Sequence, residues 1–469
     1  MRIHHLAPVA AALLFSAAAH AEPELSSRQA TRDLTILKQA MTALHPGVYR
    51  RRTPRELDKA FASALEEVSA GASRAQVFLL AARLSAFIGC GHTWTNPLNQ
   101  AEPIRALLAR ALVLPVRVRL LQGRLLATAS IEPLVPAPIE ILAIDGRSVE
   151  SLVAELLPLL RADGFNDGKR RSQIDSGPNG GALDRLLPLL HPPRNGVYQL
   201  TLAGGRSVAV RAVSEAEREA WLPAYDESWK LSIDGPVATL TLPTFSFWRS
   251  DFDWKGFLDR AFATLESRQI KPLILDVRHN EGGDDAIVRE LLSHLIARPY
   301  TQPSLRAFSA YERAPWILGR FLDTWDFSFF DRTGQVVREG NRWIVTAKDR
   351  QRTTVIPKAR FGGRVFALVG PEMSSAGFIL ARGLRDTRAA TLVGQATGGS
   401  LRGLNGGELA WVTLPESGVA VDLPLLAWES VSDQPDTGIT PDVRSIPTLE
   451  DAVAGRDVEL ETALKFSRQ

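Results

Sequence analysis

Hydrophobic and polar positions change rhythm twice along this 469-residue chain. Up to about residue 90 the apolar residues recur at helical spacing. Leu34, Leu37, Met41 and Leu44 fall on one face of a helix that Pro46 and Gly47 end. Thr53-Pro-Arg-Glu56 reads as a capping box with proline at the first helical position, opening a second helix to about Val68. Ser73-Arg-Ala-Gln76 opens a third, which stops near Gly89. From about 103 to 212 the period shortens. Val116, Val118 and Leu120 alternate with Arg117, Arg119 and Leu121, and Gln122-Gly123 turns the chain back, which is the grammar of a hairpin. Ile139–Ile144 predicts a further strand, followed by an Asp145-Gly146 turn and a helix from about Val149.

Past residue 213 strands and helices alternate. Val237–Leu242 predicts a strand, and Trp254, Phe257, Leu258, Ala261, Phe262 and Leu265 make one apolar helical stripe. Pro272–Asp276 is almost wholly apolar, as expected of a strand covered on both faces. A helix over Asp284–Ile296, a strand over Val365–Val369 and a helix over Ala376–Leu384 follow. Strands over Ala390–Val393, Leu409–Thr413 and Val419–Leu423 complete the pattern, which implies an α/β layered domain. Residues 299–361 interrupt it with an insertion carrying Trp316, Trp325, Phe327, Phe329, Phe330 and Trp343. These aromatics read as the core of a subdomain in preference to a lid over a substrate.

The N-terminus adds a compartment. A basic start, an apolar run from Val9 to Ala19 and an Ala19-His20-Ala21 end describe a secretory signal peptide cut after Ala21, leaving 469 − 21 = 448 residues. That run is too short for a spanning helix, and no other segment is apolar enough, so stable membrane insertion after removal of the leader is not expected. The protein is expected to be exported, to the periplasm or the extracellular space. A net charge of +3 argues against nucleic-acid binding, which needs a clustered basic face. Cys90 is the only cysteine, so no internal disulfide holds the mature chain. No G-x-G-x-x-G, Walker loop, H-E-x-x-H or Cys/His cluster occurs, and neither a cofactor nor a metal is expected.

The chemistry concentrates in Gly370-Pro-Glu-Met-Ser-Ser-Ala-Gly-Phe378. It links a predicted strand to a predicted helix and sets Ser375 at the turn. The Ala376 amide then lies at a helix N-terminus, which favours negative charge. Such a turn is also simply a cap. Asp276-Val-Arg-His-Asn-Glu-Gly-Gly283 follows the buried strand, and the amide of Gly282 or Gly283 is a second candidate oxyanion donor. A serine nucleophile needs a base near neutrality. His92, in Gly89-Cys-Gly-His-Thr93, and His279, in the glycine segment, compete for that role, while His294 on a helix face reads as structural. Several carboxylates of the tail from Ser432 to Val443 are placed to orient a histidine.

Together these segments resemble the tail-specific, or C-terminal-processing, serine peptidase family, most closely its tricorn-core-like branch. The family's D-L-R-x-N-x-G-G element matches 276–283, and its S-A-S-A-x-E turn is similar to Ser374-Ser-Ala-Gly-Phe378. Its L-V-G-x-x-T-x-G element matches 392–399, its G-I-x-P-D tail matches Gly438–Asp442, and its G-D-G-H-T element resembles 89–93. The resemblance implies an α/β fold with a crotonase/Clp-protease-like layered core. It divides the chain into signal peptide 1–21, N-terminal helical domain 22–102, PDZ-like β-rich module 103–212 and protease core 213–469. It implies Ser375 as nucleophile, His92 as base, Asp436 as the supporting carboxylate, with Asp433 or Glu429 as substitutes, and a polypeptide substrate. Two positions depart from the pattern. Ser400 stands where classical members carry the lysine of a Ser–Lys dyad, and Phe378 stands where many carry glutamate. Two rival expectations stand beside the peptidase: a non-catalytic binding protein on the same scaffold, and an acyl-transfer enzyme of the related crotonase-like folds.

Overall fold

A computed structural model describes residues 24–177, 181–248, 250–358 and 360–468. The expected signal peptide lies outside them. Helices span Ser27–Leu44, Pro54–Glu67 and Arg74–Phe87. The predicted capping box forms: Thr53 Oγ1 accepts the Glu56 amide, and the Glu56 carboxylate accepts the Thr53 amide at 2.7 Å. Leu34, Leu37, Met41 and Leu44 are wholly buried, as their spacing requires.

The β-rich module is an antiparallel sheet ordered Val116–Leu121, Arg124–Ser130, Ile139–Ile144, Val197–Leu202, Ser207–Arg211. Asp145 and Gly146 both have positive φ, 49° and 76°, the conformation of a tight hairpin turn back to Arg147–Ser148. The module's base holds a buried ion pair. Arg218, on the Glu215–Trp221 helix, is 0% exposed and grips Asp184 with two bonds of 2.8 and 3.0 Å. Asp184→Ala removes the bidentate partner of that buried guanidinium and leaves only Glu219, at 2.9 Å, to balance its charge. The expected cost is about 3–5 kcal/mol, read as a lower denaturant midpoint by circular dichroism.

The α/β core is a six-stranded sheet ordered Val443–Arg444, Thr391–Gly394, Arg364–Val369, Pro272–Asp276, Val237–Thr241, Lys230–Asp234. All neighbours run parallel except the Lys230–Asp234 edge. Leu273 and Leu275 point to one face, under helices Trp254–Ser267, Asp285–Leu295 and Ser375–Thr387. Ile274 points to the other, under helix Val458–Ser467. Burial on both faces is the reason this strand is apolar throughout. Among the described residues, no helix is long and apolar enough to cross a membrane.

Two segments pair differently from the simple alternating pattern. Strands Leu409–Thr413 and Ala420–Pro424 lie outside the core sheet and pair with each other, and Leu322–Asp323 joins the first of them. Their apolar residues join the cluster under the N-terminal helices, and Asp33 on the first helix accepts the Glu416 and Ser417 amides at 3.0 and 2.8 Å. From the 299–361 insertion, strand Leu305–Ser309 pairs with Ala427–Ser430 of the tail, in a sheet that also holds Gly403–Asn405. The insertion is thus woven into the tail. Alternation marks a strand in the sequence, but the choice of partner strand is a long-range event.

Candidate active site

Pro272–Asp276 and Arg364–Val369 are neighbouring parallel strands, with Asp276 opposite Leu368, so the turns that follow them leave the sheet side by side. This is the carboxyl edge at which open α/β sheets bind ligands. Ser375 is the first residue of the Ser375–Thr387 helix and has φ 49°, in the left-handed region. A non-glycine residue there stores roughly 1–3 kcal/mol of strain. Ser374 makes no side-chain cap bond to this helix; its Oγ donates instead to the Glu281 carbonyl at 3.2 Å.

The glycine turn packs directly on this serine. A Cβ at Gly282 would lie 2.8 Å from both the Ser375 Cβ and the Ala376 nitrogen, so only glycine allows the approach. Gly282 and Gly283 have φ of 112° and 142°, which also favours glycine. The two glycines differ in one respect. The Gly282 amide donates to Asn280 Oδ1 at 2.9 Å, and buried Asn280 is itself fixed by its bond to the Leu242 carbonyl at 2.8 Å. Among the described residues, no hydrogen bond engages the amides of Gly283 and Ala376.

His92 follows the third helix in a loop held from three sides. Gly91 donates to Asp163 Oδ1 at 3.0 Å, Arg161 Nη1 donates to the Gly91 carbonyl at 2.7 Å, and Gly164 donates to the Gly89 carbonyl at 2.9 Å. The imidazole Nδ1 is buried and makes no hydrogen bond. Gly406 lies against the ring; a Cβ there would stand 3.3 Å from both Cε1 and Nε2. Burial pushes the His92 imidazole below its ordinary value; the Asp163 carboxylate opposes this, and Arg161 and Lys169 reinforce it. Among the described residues no hydrogen bond joins His92 to Ser375.

Asp436 is differently engaged from the expected support of His92. Arg51 grips both its oxygens at 2.7 Å, and Ser400 Oγ donates to Oδ1 at 2.7 Å. Burial would raise this carboxyl, but Arg51 and Ser400 outweigh it and hold it at about 2. The third Arg51 nitrogen, Nη1, donates to the Gly89 carbonyl at 2.7 Å. Asp436 therefore meets the His92 loop through a guanidinium, with no hydrogen bond to the ring. Glu429 is taken by Arg50 and Arg342, and Asp433 is exposed. His279 is half-exposed and bonds Glu372 at 2.9 Å.

Three polar residues at the site escape a reading of the sequence. Arg161, Asp163 and Lys169 come from the segment after the module's Val149–Leu156 helix. Lys169 is 2% exposed and donates to Glu281 Oε1 at 2.5 Å and to the Glu372 carbonyl at 2.8 Å. Arg161 reaches the same carboxylate at 3.0 Å while lying 3.8 Å from the Trp94 ring centroid. Burial would raise the Glu281 carboxyl, but Lys169 and Arg161 outweigh it and hold it at about 2. The two cations tie the His92 loop to the turns around Ser375. Asp167-Gly-Lys-Arg-Arg-Ser172 reads as a solvated charge run, and nothing in its spacing marks it as a site. Phe378 is buried against Gly399, where a side chain would overlap its ring.

Residues 236–445 match the family model described as Peptidase family S41. No curated protein matches the chain. Among solved structures, mature CPAF complexed with lactacystin is similar at 16% identity, covering 94% of this chain and 98% of that one, with a TM-score of 0.63. A CPAF mutant is similar at 16% identity over 94% and 97%, with a TM-score of 0.65. At this identity the likeness is one of fold, and it extends over nearly the whole chain.

Proposed function

We propose that this protein is an exported serine peptidase with Ser375 as nucleophile and His92 as general base. One observation carries the reading: a strained, left-handed serine at a helix start, packed on Gly282, beside two amides that no hydrogen bond engages among the described residues. Strain that local sequence does not require points to function. The match of residues 236–445 to Peptidase family S41 supports peptide-bond hydrolysis. Export rests on the pattern of residues 1–21.

In this mechanism neutral His92 takes the Ser375 Oγ proton as Oγ attacks the peptide carbonyl. The Ala376 and Gly283 amides receive the oxyanion, each contributing about 3–4 kcal/mol. Collapse expels the amine, which takes the proton from the imidazolium, and water then hydrolyses the acyl-enzyme with His92 again as base. Ser400, at the lysine position of Ser–Lys enzymes, bonds Asp436 and has no basic group, which favours the histidine route. Asp436 supports the base indirectly, its Arg51 partner bracing the Gly89 carbonyl. Closure of the serine–histidine gap accompanies substrate binding, as apo sites commonly tighten in the Michaelis complex.

The test is labelling by a fluorophosphonate. The adduct is expected on Ser375 and is expected to vanish in His92→Ala. Folded wild-type protein that takes no label would favour the rival non-catalytic binding scaffold, to which the unbonded His92–Ser375 pair also points.

The pH profile gives a second check. The base works when His92 is neutral, and its pKa lies below the ordinary value, so the acid limb of kcat/KM is expected below about pH 6.5. Asp163→Asn removes a carboxylate that favours the imidazolium and should move the limb to lower pH. Arg161→Gln removes a cation that disfavours it and should move the limb to higher pH. A wild-type limb above about pH 7 contradicts His92 as the depressed base.

A further inference from the structure

The far end of the Asp285–Leu295 helix holds a group of side chains that the peptidase reading does not use. Glu290 and His294 are four residues apart and so share one helical face. Asp259, on the Trp254–Ser267 helix, faces them. His294 is 6% exposed, and its ring lies flat on Phe262, with centroids 4.3 Å apart and planes 4° from parallel. The stack fixes the direction of Nε2, which is buried and, among the described residues, makes no hydrogen bond.

The distances around that nitrogen are informative. Nε2 stands 3.4 Å from Glu290 Oε1 and 3.5 Å from Asp259 Oδ1. A charge-assisted N–H···O bond would close to about 2.7–2.9 Å. Donor atoms about 2.0–2.1 Å from a tetrahedral ion are instead about 3.4 Å apart. The three donor atoms all lie within 4.8 Å of one another. A buried imidazole nitrogen that holds its carboxylate neighbours only at these longer distances is better satisfied by an ion placed between them.

The acids already gather a cation. The Lys358 ammonium pairs with Glu290 and lies 3.7 Å from Asp259. It belongs to the returning arm of the 299–361 insertion, pinned to the helix end by Lys358 N–H to the Ser293 carbonyl and Phe361 N–H to the His294 carbonyl, both 2.8 Å. We propose that Asp259, Glu290 and His294 form a binding site for a first-row divalent transition metal of the zinc type, with Lys358 as the tethered cation that the metal displaces. One imidazole and two carboxylates suit Zn²⁺ and leave a fourth position for water. The helix separates this site from the Gly282–Gly283 turn by about 15 Å, at 1.5 Å per residue over Asp284 to His294. The ion therefore cross-links the two helices and takes no part in catalysis.

The experiment uses untagged full-length protein stripped with a chelator. Zn²⁺ is titrated by calorimetry, and Co²⁺ binding is followed by its d–d absorption. One equivalent is expected, with a tetrahedral Co²⁺ spectrum and a raised melting temperature. Glu290→Gln is expected to weaken binding at least about tenfold, and Lys358→Met to tighten it by about tenfold. His294→Gln should abolish the Co²⁺ spectrum; if it fails to fold, Glu290→Gln and Lys358→Met carry the test. The proposal is overturned if folded wild-type and Lys358→Met proteins both bind no stoichiometric ion. It is equally overturned if binding is indifferent to Glu290→Gln, which would put the ion elsewhere.

Discussion

Ser375→Ala is expected to lower kcat/KM against a peptide substrate by about 10⁴-fold or more while the protein stays folded, because loss of a nucleophile removes covalent catalysis and leaves only binding and oxyanion stabilisation. Stability separates this from a merely structural serine. Alanine keeps the Cβ and so keeps the strain of φ 49°. Ser375→Gly relieves that strain and is expected to be about 1 kcal/mol more stable than the alanine variant, although equally inactive. Two inactive proteins of different stability would fit a strained nucleophile. Full activity in either, measured on intact peptide by mass spectrometry, would remove Ser375 from the mechanism.

Gly282→Ala should cost about 10²-fold or more in kcat, with a smaller change in KM. The added methyl meets the Ser375 Cβ and the Ala376 nitrogen at 2.8 Å, so the serine turn or the glycine turn must move. Both movements would displace a proposed oxyanion donor from the proposed nucleophile, Ser375. The neighbouring Gly283→Ala is a harsher change, since its Cβ would overlap the Phe245 carbonyl, and it should also lower stability. Wild-type kcat in a folded Gly282→Ala enzyme would show that this packing does not position the reacting groups.

The local elements of the site are legible in the sequence because their causes are local. The apolar run Val365–Val369, the small residues around Ser375 and the paired glycines each specify a strand, a helix start and a tight turn within a few residues. The amide that Asn280 occupies at Gly282 is also a near-neighbour effect, but it depends on a rotamer fixed by Leu242, some forty positions away, and so has no spacing signature. The metal-ligand set is half legible: Glu290 and His294 share a helix face, but Asp259 and Lys358 join them only through packing.

By itself the sequence determines the alternation of an α/β core, the helical start, the β-rich module, the apolar character of the central strand and the turn that carries Ser375. These follow from hydrophobic period, capping and glycine conformation, which act over short stretches. The tertiary structure alone decides that the segment from Arg161 to Lys169 enters the site, that Asp436 bonds Arg51 and Ser400 and makes no bond to the imidazole, and that the Leu409–Thr413 strand lies outside the core sheet. Each is a choice among charged or hydrogen-bonding partners of similar local chemistry. The packing of distant segments makes that choice, because it brings partners from far along the chain within reach, and partial withdrawal from water strengthens the attraction between opposite charges.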